Sequence, residues 1–126
     1  MVVAPEGAVF PEDSAWLFYE FNNVTEIDLT GADTSSVTNM SFMFYDCSAL
    51  QRLNIRGFDT ANVTGMIFMF KDCFGLTDLN VSDFDTARVD GMSDMFRNCS
   101  ALTNLDVSGF HTACVQGTLT QKRWRE

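Results

Sequence analysis

Hydrophobic and polar positions recur along most of this chain with a period of 26 residues. Three consecutive copies align without a gap, and they begin at Val24, Leu50 and Leu76. A fourth copy begins at Leu102 and keeps the register through Gly117. Repetition at a period of about 20 to 50 residues is typical of proteins in which each copy buries its apolar side against the next. The sequence therefore predicts one continuous stack of copies.

Each copy opens with a leucine-rich stretch that predicts a short strand. In the second copy the apolar residues are Leu50, Leu53 and Ile55, and apolar and polar positions alternate at the end of the stretch. Such alternation is typical of a strand with one buried side. The sequence Gly-Phe-Asp-Thr follows at residues 57–60. It predicts a turn, because Gly adopts positive φ freely and an Asp carboxylate accepts backbone N–H groups. A second extended piece is predicted around Val63 and its equivalents Val37, Val89 and Val115.

The last third of each copy predicts a short helix. Its apolar residues are spaced i, i+3, i+4 and i+7, which defines one face of an α-helix. The residues with this spacing are Met40, Met43, Phe44 and Cys47; Met66, Met69, Phe70 and Cys73; and Met92, Met95, Phe96 and Cys99. The predicted fold class is therefore an α/β solenoid, a leucine-rich-repeat-like stack of 26-residue turns with short parallel strands on one face and short helices on the other.

The domain organisation follows from the register of the copies. Residues 1–23 form an N-terminal partial repeat or cap, and residues 24–117 form the tandem repeats. The copies span residues 24–49, 50–75 and 76–101, with an incomplete copy at 102–117. The divergent tail, residues 118–126, has few apolar groups with which to close the last layer. We therefore expect a risk of end-to-end self-association.

The repeat resembles that of the BspA-like leucine-rich repeat surface proteins. The resemblance rests on the pattern FDTxxVxxMxxMFxxCS, which the third copy matches in full and the first and second copies match with one difference each, at Ala32 and Phe74; it covers about residues 8–117. It implies a cell-surface or secreted protein that binds other macromolecules and mediates adhesion, without a reaction or a particular ligand. Family members usually carry an export signal and an anchor, and the start of this chain has the pattern of neither.

Charge and hydropathy exclude some partners. The formal net charge is −9 at pH 7, and an acidic body repels phosphate backbones, so nucleic acid is a poor partner. No apolar run is long enough to predict a membrane span. The first residues lack the basic segment of a signal peptide and contain Pro5 and Pro11. The expected partner is an extracellular protein or a glycan.

The candidate binding face comprises the outward positions of the predicted strands. These positions vary in charge between copies, whereas the core positions do not, and repeat proteins use such faces for recognition. The residues are Glu26, Asp28, Arg52, Asn54, Asp78, Asn80, Asn104 and Asp106. They fit a non-enzymatic binding module. Two alternatives stay open, namely ordinary solvated surface and a structural spacer or stalk without a ligand of its own.

No cofactor or metal site is expected from the sequence. Cys47, Cys73 and Cys99 occupy one column and are interpreted as small core residues, although a disulfide between neighbours is within reach. The aspartates at residues 33, 59 and 85 are interpreted as turn formers, because one carboxylate per copy is too few for Ca²⁺. Thiol chemistry at Cys114, with His111 as a base, is the enzymatic alternative, and unchanged behaviour of Cys114→Ser would exclude it.

Overall fold

The structure is a computed structural model that describes residues 1–103 and 105–110. It contains four strands, β1 (Val2–Val3), β2 (Glu26–Asp28), β3 (Arg52–Asn54) and β4 (Asp78–Leu79). They form one parallel sheet in the order β1-β2-β3-β4. From β2 onward each strand pairs with the strand one copy later, so that Glu26 lies opposite Arg52 and Arg52 opposite Asp78.

A second line of contacts joins the copies on the far side of the Gly-Phe-Asp-Thr turn. Isolated parallel bridges link Asp13 to Asn39, Asn39 to Gly65, and Gly65 to Gly91. These bridges lie just after Val37, Val63 and Val89, where a second extended piece was predicted; Val115 lies outside the described residues. The pairing is limited to single bridges, so this piece forms no continuous strand in the described part of the chain.

The predicted fold class is wrong, because residues 1–103 and 105–110 contain no helix. The segments with helical spacing, such as Met40 to Cys47, are runs of turns. Their amides alternate between two kinds of acceptor. The Phe44 N–H donates to the Met69 carbonyl of the next copy at 2.9 Å, whereas the Met43 N–H donates three residues back to the Met40 carbonyl at 3.2 Å. No i to i−4 ladder forms here, and the regular structure is a small parallel sheet.

Turn geometry explains why the spacing imitated a helix. Within each run the backbone takes positive φ at positions four residues apart, for example Phe42 (63°) and Asp46 (61°). The same pair of positions recurs as Phe68 and Asp72 in the next copy. A backbone that turns at every fourth residue places side chains on its core-facing side about every four residues. This period is close to the helical period of 3.6. Apolar spacing alone cannot distinguish the two backbones.

The core consists of columns of equivalent side chains. The rings of Phe18, Phe44, Phe70 and Phe96 stack in order, with centroid separations of 5.3, 5.6 and 5.5 Å. All three predicted Met-Met-Phe-Cys sets are buried. The predicted register, in which side chains 26 positions apart lie over one another, is therefore confirmed at these positions. Close-packed columns of this kind exclude water and stabilise the stack.

A column of buried threonines joins the turns of successive copies. The Thr34 hydroxyl donates to the Asp59 carbonyl at 3.0 Å and accepts the Asp59 N–H at 2.8 Å. Thr60 makes the same pair of bonds to Asp85, at 3.1 and 2.8 Å. Each hydroxyl thus satisfies two backbone groups that no strand pairing reaches.

Two sequence-based expectations concern the ends and the membrane. The C-terminal tail, on which end-to-end association was predicted, lies outside the described residues, so that association stays a prediction. Within the described residues no helix is long and apolar enough to cross a membrane.

Candidate functional site

The strand face is built from three sheet neighbours. In β2, β3 and β4 the residues Ile27, Leu53 and Leu79 point into the core and are buried. Because side chains alternate along a strand, the positions before them, Glu26, Arg52 and Asp78, face outward in one row across the sheet. The row reads acidic, basic, acidic. We call Glu26, Arg52 and Asp78 the charged row.

A concavity of about 300 Å³ lies over the charged row. Five of the eight predicted binding-face residues line it: Glu26, Arg52, Asn54, Asp78 and Asn80. Asp28 and Asp106 are not among the lining residues, and Asn104 lies outside the described residues. The structure therefore brings most of the predicted face together around one depression.

Sequence reasoning missed several lining residues, two of them in the strands and the others at or near the turn that follows. They are Ile27, Leu53, Ile55, Arg56, Phe58, Asp83 and Phe84. Arg56 continues the alternation of Arg52 and Asn54, so the period of two could have identified it. Phe58 and Phe84 are 5% exposed and were interpreted only as core or turn residues. Their rings give the concavity an apolar wall.

Asp28, Asn54 and Asn80, which lie two positions after the residues of the charged row, have a structural role. The Oδ1 atom of Asn54 accepts the Arg56 N–H at 3.1 Å, and that of Asn80 accepts the Ser82 N–H at 2.9 Å. Asp28 caps its own turn in the same way through Thr30, at 3.0 Å. Side chains that bond to the backbone two residues on stabilise turns. These residues are therefore less available to a ligand than the charged row.

The two arginines of the concavity are not held by direct polar contacts in the described part of the chain, although the charge of Arg56 acts on Asp28. The guanidinium groups of Arg52 and Arg56 form no hydrogen bond and no ion pair there, and both side chains are exposed. Each guanidinium can donate in a planar fork to a carboxylate or another acceptor. The concavity thus offers two cationic donors beside the carboxylates of Glu26, Asp78 and Asp83.

The turn carboxylates predict a pH dependence of stability. Hydrogen bonds from the Thr30 hydroxyl and N–H, and then the charge of Arg56, lower the pKa of Asp28 below its ordinary 3.8. Hydrogen bonds from Ser35 lower the pKa of Asp33 likewise. A folded-state pKa below the unfolded value means stability that is present above about pH 4 and is lost as the pH falls through the folded pKa. Urea unfolding of wild type and Asp28→Asn at several acidic pH values should show a shallower decline in the variant. Identical declines would contradict the role of Asp28.

The cysteine column is part of the core. Cys47, Cys73 and Cys99 are free thiols with 0, 0 and 2% exposure. Each thiol donates to a carbonyl, for example Cys73 to Phe44 at 3.2 Å. Interaction with the Cys73 thiol lowers the pKa of Cys47, whereas interaction with the Cys47 thiol and burial raise the pKa of Cys73. The interpretation as core residues is confirmed. Cys114 and His111 lie outside the described residues.

The aspartate column forms turns, as predicted. The carboxylates of Asp33, Asp59 and Asp85 each accept the N–H two residues on, at 3.0 Å. In the described part of the chain no group of three or more His, Cys, Asp or Glu side chains is placed to hold a metal ion.

Comparison with known proteins identifies a family over most of the chain. Neither the curated proteins nor the solved structures gave a match. Residues 12–121 match the family described as "Mycoplasma protein of unknown function, DUF285". This match spans the three complete copies and the incomplete fourth copy. The chain belongs to this DUF285 family.

Proposed function

We propose that this chain is a non-enzymatic binding module and that its strand face recognises another macromolecule. The observation that carries the proposal is the concavity over the charged row, with two arginines whose guanidinium groups form no hydrogen bond and no ion pair in the described part of the chain. Polar groups that converge beside apolar walls are the usual composition of a recognition site. Asn54 and Asn80 also line the concavity, and their hydrogen bonds to the Arg56 and Ser82 amides hold the turns beside it.

The size of the concavity bears on the ligand. About 300 Å³ lies at the small end of the range of roughly 300 to 1,000 Å³ for drug-sized ligand pockets. It holds one side chain or one sugar residue, so that further contacts come from the surrounding strand face. Carboxylates suit guanidinium groups such as those of Arg52 and Arg56, which line the same concavity. We propose an extracellular protein or an acidic glycan that places a carboxylate there.

The cellular setting is a finer part of the same proposal. The recurring FDT and V-x-x-M-x-x-M-F elements resemble those of BspA-like surface proteins, which supports a surface-exposed or secreted parent protein that mediates adhesion. A net charge of −9 keeps nucleic acid an unfavourable partner.

Charge reversal at the centre of the charged row tests this function. The immobilised chain is exposed to a panel of purified extracellular-matrix proteins and an array of glycans. We expect at least one target to bind, and we expect Arg52→Glu to weaken it by about tenfold or more, because the variant removes a central guanidinium and adds a like charge.

The matched control is Arg88→Glu. Arg88 is exposed, donates to Asn62 at 3.1 Å and does not line the concavity. Its reversal changes the net charge by the same amount and should leave binding within about twofold of wild type. A wild-type chain that binds no target would indicate a spacer, and equal weakening by both variants would assign the effect to net charge. Either result would overturn the proposal.

A further inference from the structure

A second surface is formed by half-exposed aromatic rings on the turn runs. We call Trp16, Tyr19, Phe42, Tyr45 and Phe68 the aromatic patch. Trp16 stacks on Phe42 at 4.1 Å with an interplanar angle of 4°, and Tyr19 stacks on Tyr45 at 5.5 Å. Phe42 contacts Phe68 edge to face at 5.2 Å. The rings thus continue across three copies, and Trp16 and Tyr19 are 47% and 37% exposed.

The backbone at this patch is in an unfavourable conformation for aromatic residues. Trp16, Phe42 and Phe68 have φ of 68°, 63° and 58°, a region that bulky side chains rarely occupy and that costs about 1 to 2 kcal/mol per residue. The equivalent position in the next copy holds Asp94, at 53°, which shows that the turn itself requires no ring. Burial does not explain the rings either, because they are half-exposed, unlike Phe44 and Phe70. Unfavourable residues that are retained on a surface indicate a function.

One cation of the chain already occupies an end of the aromatic patch. The Lys71 ammonium lies 4.5 Å from the centroid of the Phe68 ring and 5.3 Å from that of Tyr45. Both distances are within the range of about 6 Å for a cation–π contact. In residues 1–103 and 105–110 no cation lies over Trp16 or Tyr19. The exposed end of the patch thus has the same kind of rings without a cation.

Carboxylates accompany the rings along the patch. Glu20, Asp46 and Asp72 follow the residues Tyr19, Tyr45 and Lys71 in sequence, and all three have positive φ. Partial burial, then the charge of Glu20 and a hydrogen bond with its side chain, and more weakly Tyr45 and Asp46, raise the pKa of the Tyr19 hydroxyl. Asp72 accepts a hydrogen bond from Asn98 at 2.6 Å, whereas Glu20 and Asp46 are the carboxylates whose charge acts on Tyr19. Their charge favours a cationic ligand.

We propose that the aromatic patch binds lysine or arginine side chains of a partner polypeptide, with the cation over Trp16 and Tyr19 and beside Glu20 and Asp46. The bound cation repeats at the N-terminal partial repeat the contact that Lys71 makes with Phe68 and Tyr45. The net charge of −9 attracts such a partner at long range. This surface is separate from the charged row, and its ligand has the opposite charge to the carboxylate proposed there.

Fluorescence of Trp16 reads out the binding directly. The full-length chain carries Trp124→Phe, because Trp16 and Trp124 are its two tryptophans. It is titrated with a Gly-Ser peptide bearing four lysines and with a peptide in which glutamine replaces each lysine. We expect the lysine peptide to change the Trp16 emission and to bind at least about tenfold more tightly than the glutamine peptide. Its binding should weaken as salt is added.

Two pairs of variants separate a local site from net charge. Asp46→Asn keeps a residue suited to positive φ and should weaken binding of the lysine peptide. The effect should be larger than that of Asp85→Asn, a matched neutralisation at an exposed turn. Lys71→Gln removes the internal competitor and should strengthen binding more than the matched Arg88→Gln. Equal effects within either pair, no binding of the lysine peptide, or equal binding of the glutamine peptide would overturn the proposal. The last of these results would assign the patch to a neutral ligand.

Discussion

Replacing Phe70 with Ala should lower the free energy of unfolding by about 3 to 5 kcal/mol. Phe70 is fully buried, and its ring stacks between those of Phe44 and Phe96, at 5.6 and 5.5 Å. Alanine removes the apolar surface of the ring and leaves a cavity inside a continuous column, where the turn runs of three copies meet. Relaxation is limited because the Phe44 N–H donates to the Met69 carbonyl and the Phe70 N–H to the Met95 carbonyl, which hold the backbone of this part of the column in place.

Urea unfolding followed by circular dichroism measures this loss. Phe74→Ala is the control, because Phe74 lies four residues further along the same copy and is 49% exposed. Its replacement should change the free energy of unfolding by about 0.5 kcal/mol or less. A Phe70→Ala loss below about 1 kcal/mol, or equal losses in the two variants, would contradict the column.

Replacing Thr60 with Val should lower the free energy of unfolding by about 2 to 4 kcal/mol. The two side chains have nearly the same shape, so the loss comes from hydrogen bonding. The Thr60 hydroxyl both donates to the Asp85 carbonyl and accepts the Asp85 N–H. Thr60 is 2% exposed, so water does not readily replace its hydroxyl, and each backbone group left unsatisfied costs about 1 to 3 kcal/mol.

The conservative variant Thr60→Ser keeps the hydroxyl and should retain most of the stability that Val loses. Hydrogen exchange of the Asp85 amide supplies a local readout, since its protection should fall in Thr60→Val and persist in Thr60→Ser. A Val variant as stable as wild type would show that the threonine column does not join the copies.

The sequence was sufficient for the register and for the buried residues. Because columns such as Leu50–Leu76 and Phe44–Phe70 repeat without gaps, equivalent residues had to pack together. The strands were predicted from the same columns. Strands β2, β3 and β4 each begin two residues after the first residue of their copy, Val24, Leu50 or Leu76.

The apolar spacing in the last third of each copy could not distinguish a helix from a run of turns. The spacing of Met66, Met69, Phe70 and Cys73 is compatible with both, since both return a side chain to the core about every four residues. The deciding features are the positive φ angles at Phe68 and Asp72. The positive φ of Phe68 could not be expected from the sequence, because phenylalanine is among the residues least suited to the left-handed region.

The candidate site was predictable where strand alternation defines it. Glu26, Arg52 and Asp78 follow from a period of two, whereas the contributions of Phe58, Phe84 and the aromatic patch depend on how the turns fold back. Those turns are set by hydrogen bonds between copies, which a single copy of the repeat does not reveal. Half-exposed rings and core rings also look alike in sequence, as Phe42 and Phe44 illustrate.

One NMR measurement tests most directly whether the copies are joined to one another by their backbones. Scalar couplings across hydrogen bonds identify the acceptor of a given amide. The fold described here predicts a coupling from the Phe44 amide nitrogen to the Met69 carbonyl carbon, and from Phe70 to Met95, whose N–H···O distances are both 2.9 Å. Couplings from Phe44 to Met40 and from Phe70 to Met66 would instead indicate helices, and both proposed binding surfaces would then lose their structural basis.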